Sequence, residues 1–131
     1  MKILIATHGK LCDGFVSAIE IILGRSNKID AISAHDEYDF KEKVDTYFKE
    51  ISEPLIVCTD LMIGSVNQYI VSKINDYDFR LFADVNLKFL LELNMMVNSN
   101  NTLDEKTIQE LLKNNPGVID ICGLLKTGLE E

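Results

Sequence analysis

Two residues stand where a sequence of this kind places chemistry. His8 follows the apolar run Lys2-Ile3-Leu4-Ile5-Ala6-Thr7 and precedes Gly9, and Asp60 follows a second apolar run, Leu55-Ile56-Val57-Cys58-Thr59. If both runs are parallel strands of one α/β sheet, the two side chains emerge at its carboxyl edge, where such sheets bind ligands. An imidazole there can serve as nucleophile, base or metal ligand, with one nitrogen presented and the other needing a partner. A carboxylate is the usual partner: it accepts the ring N–H, fixes the tautomer and stabilises imidazolium as it forms. Asp60 suits that role. Downstream, Ile63-Gly64-Ser65 opens a helix, so amide N–H groups and the Ser65 hydroxyl face the same edge and favour an anion such as phosphate. The competing reading is a structural histidine satisfied by one hydrogen bond, and position at a strand end does not separate the two.

Other chemistries find less support. His35, Asp36 and Glu37 also follow a strand, but the chain has two histidines and no HxxH or HxH spacing, so no metal site is expected. There is no GxSxG for a hydrolase elbow, no GxGxxG and no GxxxxGK[ST], and no cofactor is expected. Cys12 lies four residues after His8. With no arginine nearby it reads as a small buried packing residue rather than a nucleophile.

The elements that must position His8 and Asp60 follow from periodicity. Strands are expected over 2–7, 28–34, 55–59 and 78–84, and helices over 15–23, 39–51, 65–74, 87–96 and 102–114. The first helix is stopped by Gly24, with Cys12-Asp13-Gly14 before its start. Residues 98–101 read as a polar turn, after which Thr102 caps the last helix with Glu105 completing a capping box. Pro116-Gly117 breaks that helix, and 118–125 reads as a last strand. Strand and helix alternate without repeat, linker or low complexity, which implies a doubly wound, mostly parallel α/β sheet flanked by helices. The helix over 87–96 is apolar nearly all round, so its second side is covered by another subunit or by the C-terminal segment of its own chain.

Composition sets the bounds. The 131 residues suit one domain spanning 1–131. A net charge of -8 and scattered lysines exclude the basic stripe of a nucleic-acid binder. The acidity suits a basic protein partner or plain solubility. Three cysteines without CxxC spacing fit a reducing cytoplasm. No secretory signal is read, since the first apolar run is short and broken by His8 and Lys10, and no apolar stretch is long enough to span a membrane.

Thr7-His8-Gly9 within 1–9, then Asp60-Leu61-Met62-Ile63-Gly64-Ser65, then Val85-Asn86-Leu87 follow in order at successive strand ends. These segments resemble the mannose-family (mannose/fructose/sorbose type) enzyme IIA component of the bacterial phosphoenolpyruvate-dependent sugar phosphotransferase system. The resemblance runs from residue 1 to about residue 114. The family pattern is T-H-G after the first strand, D-x-x-G-G-S-P after the third and G-V-N-x-P after the fourth.

The resemblance implies a phosphotransferase of the protein-Nπ-phosphohistidine–sugar system. His8 would take a phosphoryl group from the phosphocarrier HPr and pass it to a IIB component, with membrane IIC and IID components served indirectly. Asp60 would hold the non-phosphorylated ring nitrogen, and Gly9, Gly64 and Ser65 would receive the phosphoryl oxygens. Positioning and oxygen-directed donors are what such a transfer needs. The resemblance also implies a cytoplasmic homodimer that exchanges its C-terminal strand between subunits. Rivals are the phosphocarrier subunit that supplies dihydroxyacetone kinase and a non-catalytic regulatory module of the same fold. The sequence departs from the pattern at Ile63 and Asp84, where the family has glycine, and at Val66 and Lys88, where it has proline. Asp84 adds a negative charge near the proposed phosphoryl site if it points that way.

Overall fold

The computed structural model describes residues 1–100 and 103–130. The elements follow as β1 (Lys2–His8), α1 (Leu11–Leu23), β2 (Ile29–Ala34), α2 (Glu37–Glu50), β3 (Leu55–Thr59) and α3 (Ser65–Val71). Then come β4 (Arg80–Ala83), α4 (Leu87–Asn100), α5 (Glu105–Asn114), β5 (Ile119–Asp120) and α6 (Ile121–Glu130). They build a five-stranded sheet of order β2-β1-β3-β4-β5, in which β1 to β4 are parallel and β5 is antiparallel to β4. The chain runs from β1 outward to β2 and then returns to β3 on the other side of β1. The carboxyl ends of β1 and β3 therefore flank the topological switch point, where open α/β sheets leave a crevice.

The central strands are apolar on both faces because both faces are covered. Ile3, Ile5, Ile56, Cys58 and Phe82 point to one side and pack with Ile19 of α1, Phe89, Leu90 and Leu93 of α4, and Ile108 and Leu111 of α5. Leu4, Ala6, Val57, Leu81 and Ala83 point to the other and pack with Phe40, Val44 and Phe48 of α2, Val66 and Ile70 of α3, and Ile121 of α6. The apolar helix α4 thus has its second side covered within the chain, by α1 and α5, with Met95 left exposed.

Several boundaries differ from the sequence expectation, and the reasons are local hydrogen bonds. Helix α1 starts at Leu11 rather than 15, because the Cys12 amide donates to the buried Thr7 hydroxyl at 2.7 Å and carries the helix through Gly14. Helix α2 starts at Glu37 rather than 39, since Asp36 is its cap and accepts from the Asp39 amide. Helix α3 stops at Val71, short of 74. Residues 98–100, read as a turn, are the last residues of α4, while Asn101 and Thr102 lie outside the described residues. The observed cap of α5 is Asp104, whose carboxylate accepts from the Thr107 amide at 2.8 Å, and Glu105 is the first helical residue.

The strand read over 118–125 is the largest correction, because only Ile119 and Asp120 pair with β4 of the same chain. The side chain of Asp120 then accepts from the Gly123 amide at 3.2 Å and takes the Arg80 guanidinium at 2.9 Å. An aspartate bonded three residues ahead is an N-cap, and it turns the chain into α6.

Candidate functional site

His8 is the last residue of β1 and Asp60 the first residue after β3, and these strands are neighbours in register, with Ala6 beside Thr59. The sheet brings the two side chains together. Asp60 Oδ2 accepts from the His8 backbone amide at 3.1 Å and lies 3.0 Å from His8 Nδ1. One carboxylate oxygen therefore fixes both the strand end and the ring. With Nδ1–H donating to the carboxylate, the lone pair is on Nε2. The Asp60 side chain is 9% exposed against 43% for His8. A carboxylate sheltered at the base of an accessible ring orients it and balances any positive charge the ring acquires.

Gly64 explains how closely the next loop approaches. A Cβ there would lie 2.6 Å from His8 Cε1 and 3.3 Å from Nε2. Glycine is what lets the backbone before α3 lie against the open edge of the imidazole. Gly9 meets a different need: its φ is +56°, a left-handed turn out of β1, and a Cβ there would touch nothing. Neither glycine offers a spare amide as expected of a phosphoryl-binding residue. The Gly9 N–H donates to the Ala34 carbonyl at 2.9 Å and the Gly64 N–H to the Leu61 carbonyl at 3.3 Å. Their contribution is shape. Ser65, exposed at the start of α3, lines the cavity that borders His8.

That cavity, about 260 Å³, is lined by His8, His35, Asp36, Lys41, Ser65 and Tyr69 among others. Lys41 and Tyr69 fall within the helices expected over 39–51 and 65–74, and nothing in their spacing marks them as neighbours of His8. The Lys41 ammonium pairs with Glu37 at 2.9 Å and sits 5.3 Å over the Tyr69 ring. The Glu37 hydrogen bond raises its pKa further, so it is a cation at any physiological pH. The Tyr69 hydroxyl donates to Asp45 at 2.6 Å, which holds the ring at the cavity wall. Asp84 turns its carboxylate to the Met62 amide rather than to His8. A larger cavity of about 520 Å³ between β2 and α2 includes neither His8, Asp60 nor Ser65, and is unrelated to this chemistry.

Cys12 is fully buried and burial pushes its thiol pKa up, which leaves it a packing residue. No group of three or more metal-ligating side chains occurs among the described residues.

Comparisons with known proteins bear on the family and the fold. Residues 2–113 match the family model for the PTS system fructose IIA component. A solved structure from Klebsiella pneumoniae, provisionally assigned as a phosphoenolpyruvate-dependent sugar phosphotransferase system permease, is 29% identical with a TM-score of 0.76, covering 88% of this chain and 85% of that one. The PTS IIA protein associated with the fucose utilization operon of Streptococcus pneumoniae is 21% identical with a TM-score of 0.73, covering 95% of each chain. The mannose/sorbose specific IIA subunit of Enterococcus faecalis is 18% identical with a TM-score of 0.66, covering 86% of each. The last two likenesses establish the fold. A comparison with curated proteins finds no match.

Proposed function

This chain belongs to the family of phosphotransferase system fructose IIA components, and on that premise we propose that His8 carries a phosphoryl group on Nε2 during phosphotransfer to a sugar. The observation that carries this reading is the grip of Asp60 on Nδ1, which leaves Nε2 as the ring's only open lone pair. The system takes its name from a π-phosphohistidine, but at His8 the π nitrogen is the one Asp60 holds. The reacting nitrogen here is therefore the other one.

The step balances simply. The Nε2 lone pair attacks the phosphorus of a phosphohistidine on the donor HPr, the donor's N–P bond breaks, and its electron pair returns to the donor ring. The Nδ1 proton stays on His8, and the Asp60 carboxylate offsets the positive charge of the phosphorylated imidazole. The same attack by a IIB component in the second half returns His8 to its starting state. Ser65 donates its hydroxyl to a phosphoryl oxygen, Gly9 and Gly64 shape the approach, and no resident cofactor or metal takes part. Positioning and charge, rather than covalent help, are what this chemistry asks of a protein. The domain over 1–131 acts in the cytoplasm as a homodimer and serves membrane IIC and IID components through IIB. No helix among the described residues is long and apolar enough to cross a membrane.

The test is direct. Incubation with phosphoenolpyruvate, enzyme I and HPr should add one acid-labile phosphoryl group by intact mass, and His8→Ala should add none. Absence of label on the wild type would sink the proposal, and label persisting in His8→Ala would move the site. Asp60→Ala should fold and slow the transfer about a hundredfold, the scale of a mispositioned reactant; an unchanged rate would remove Asp60 from the mechanism.

A further inference from the structure

We propose that Asp84 is a positioning residue for the transfer at His8: its carboxylate clamps the Met62 amide and so sets the loop that carries Asp60 and Gly64. Asp84 is the only non-glycine residue among the described residues with a positive φ, +55°. That left-handed conformation is avoided by most side chains and tolerated best by asparagine and aspartate. It occurs at the carboxyl end of β4, the strand beside β3. From there Asp84 Oδ1 accepts from the Met62 amide at 2.8 Å, a charge-assisted bond across 22 residues of sequence.

Met62 is held from its other side as well. Its carbonyl accepts from Asn67 Nδ2 at 3.1 Å, and Asn67 Oδ1 accepts from the Thr59 hydroxyl at 2.8 Å. Asn67 is 2% exposed and Thr59 fully buried, so this second grip is anchored in the interior. Beside it, the Val85 amide donates to the Thr59 carbonyl at 3.2 Å and ties the end of β4 to the end of β3. Met62 is the midpoint between Asp60 and Gly64, the two residues that touch His8. Two other bonds to the loop backbone are longer, the Gly64 amide to the Leu61 carbonyl and Gln68 Nε2 to the Ile63 carbonyl, each at 3.3 Å. Leu61 and Ile63 point outward, 49% and 81% exposed, and Met62 between them packs against the core. A loop with two of its three apolar side chains outward takes much of its shape from hydrogen bonds to its backbone, and the two that reach it from Asp84 and Asn67 meet at Met62.

Glycine at position 84 would satisfy the backbone and lose the acceptor; asparagine would keep both. That difference makes the inference testable, and its rate measurement rests on the function proposed above. Asp84→Gly and Asp84→Asn are compared with wild type for the rate of phosphoryl transfer from HPr, resolved into kcat and KM. Long-range proton–nitrogen NMR of the unphosphorylated proteins reports whether the His8 proton resides on Nδ1. Asp84→Gly should lose about tenfold or more in kcat with KM within about twofold, as expected for a misplaced reacting group. Its His8 proton should no longer be confined to Nδ1, while Asp84→Asn should match wild type in both measurements. Wild-type kcat and ring spectrum in Asp84→Gly would overturn the proposal, as would an asparagine variant impaired as far as the glycine one. If the glycine variant does not fold, Asp84→Ser, one bond shorter than the acceptor reach of aspartate, replaces it. Were the wild type to show no phosphoryl transfer at all, the NMR comparison would still decide whether Asp84 governs the His8–Asp60 pair.

Discussion

At the scale of single residues, the two glycines beside His8 separate space from backbone conformation. Gly64 has φ −80° and ψ 160°, values open to any residue, so alanine there costs little in backbone strain. Its methyl would nonetheless lie 2.6 Å from His8 Cε1, and the imidazole must swing away. Gly64→Ala should therefore keep its melting temperature within a few degrees while transfer falls between about ten- and a hundredfold. Gly9 is the converse, with φ +56° and nothing near a Cβ. Gly9→Val should destabilise the fold by about 1–2 kcal/mol through the left-handed backbone, measured by denaturant unfolding. If Gly64→Ala transferred at the wild-type rate, the loop would be free to yield and the close approach would have no functional weight. His8, Asp60, Gly64 and Ser65 were legible because chemistry-bearing residue types stood at the ends of apolar runs. Their distances were not, and neither was the way the amides of Gly9 and Gly64 are spent, since a sequence does not show which carbonyl a loop N–H will find. Asp84 was legible as a departure but not as a clamp, because its partner Met62 lies 22 residues away in sequence.

At the scale of elements, the strands were read correctly where both faces are buried, and boundaries failed where a single side chain decided them. Thr7 reaching to Cys12, Asp36 to Asp39, Asp104 to Thr107 and Asp120 to Gly123 each move a helix start. The last of these converts an expected strand into two paired residues and a helix, because a cap at Asp120 overrides the strand propensity of Ile121-Cys122. Between helices, Asp45 on α2 joins α3 through the Tyr69 hydroxyl at 2.6 Å and its flank through the Lys73 ammonium at 2.6 Å. The Lys73 hydrogen bond, then that of Tyr69, holds the Asp45 carboxyl below its ordinary pKa. A folded-state pKa below the unfolded one stabilises the fold above the unfolded value, near 3.9, and that stabilisation is lost as pH falls through the folded value. Asp45 is 40% exposed, so the effect is below about 1 kcal/mol. Asp45→Asn should thus unfold at lower denaturant than wild type at pH 7, with the gap closing below about pH 4. A gap that stayed constant into acid would mean the carboxylate charge contributes nothing to the α2–α3 link.

At the scale of the whole molecule, the sheet gathers its chemistry at one edge and leaves the net charge of -8 to act at a distance. Asp13, Asp36, Glu37, Asp39 and Asp60 all follow the carboxyl ends of β1, β2 or β3, against Lys10 and Lys41 on the same edge. The charge serves either solubility alone or the capture of a protein with a basic docking face, and ionic strength distinguishes them. Steering acts on the encounter, so it appears in kcat/KM and fades as the Debye length shrinks from about 30 Å at 0.01 M to about 8 Å at 0.15 M. On the function proposed above, the transfer itself happens inside a formed complex, where the partner covers the exposed His8 ring and salt has little access. Phosphoryl acceptance from HPr should therefore lose about threefold or more in kcat/KM over that range, with kcat within about twofold. A kcat/KM indifferent to salt would assign the acidity to solubility, and a kcat that fell in step would mean that salt reaches the reacting groups themselves.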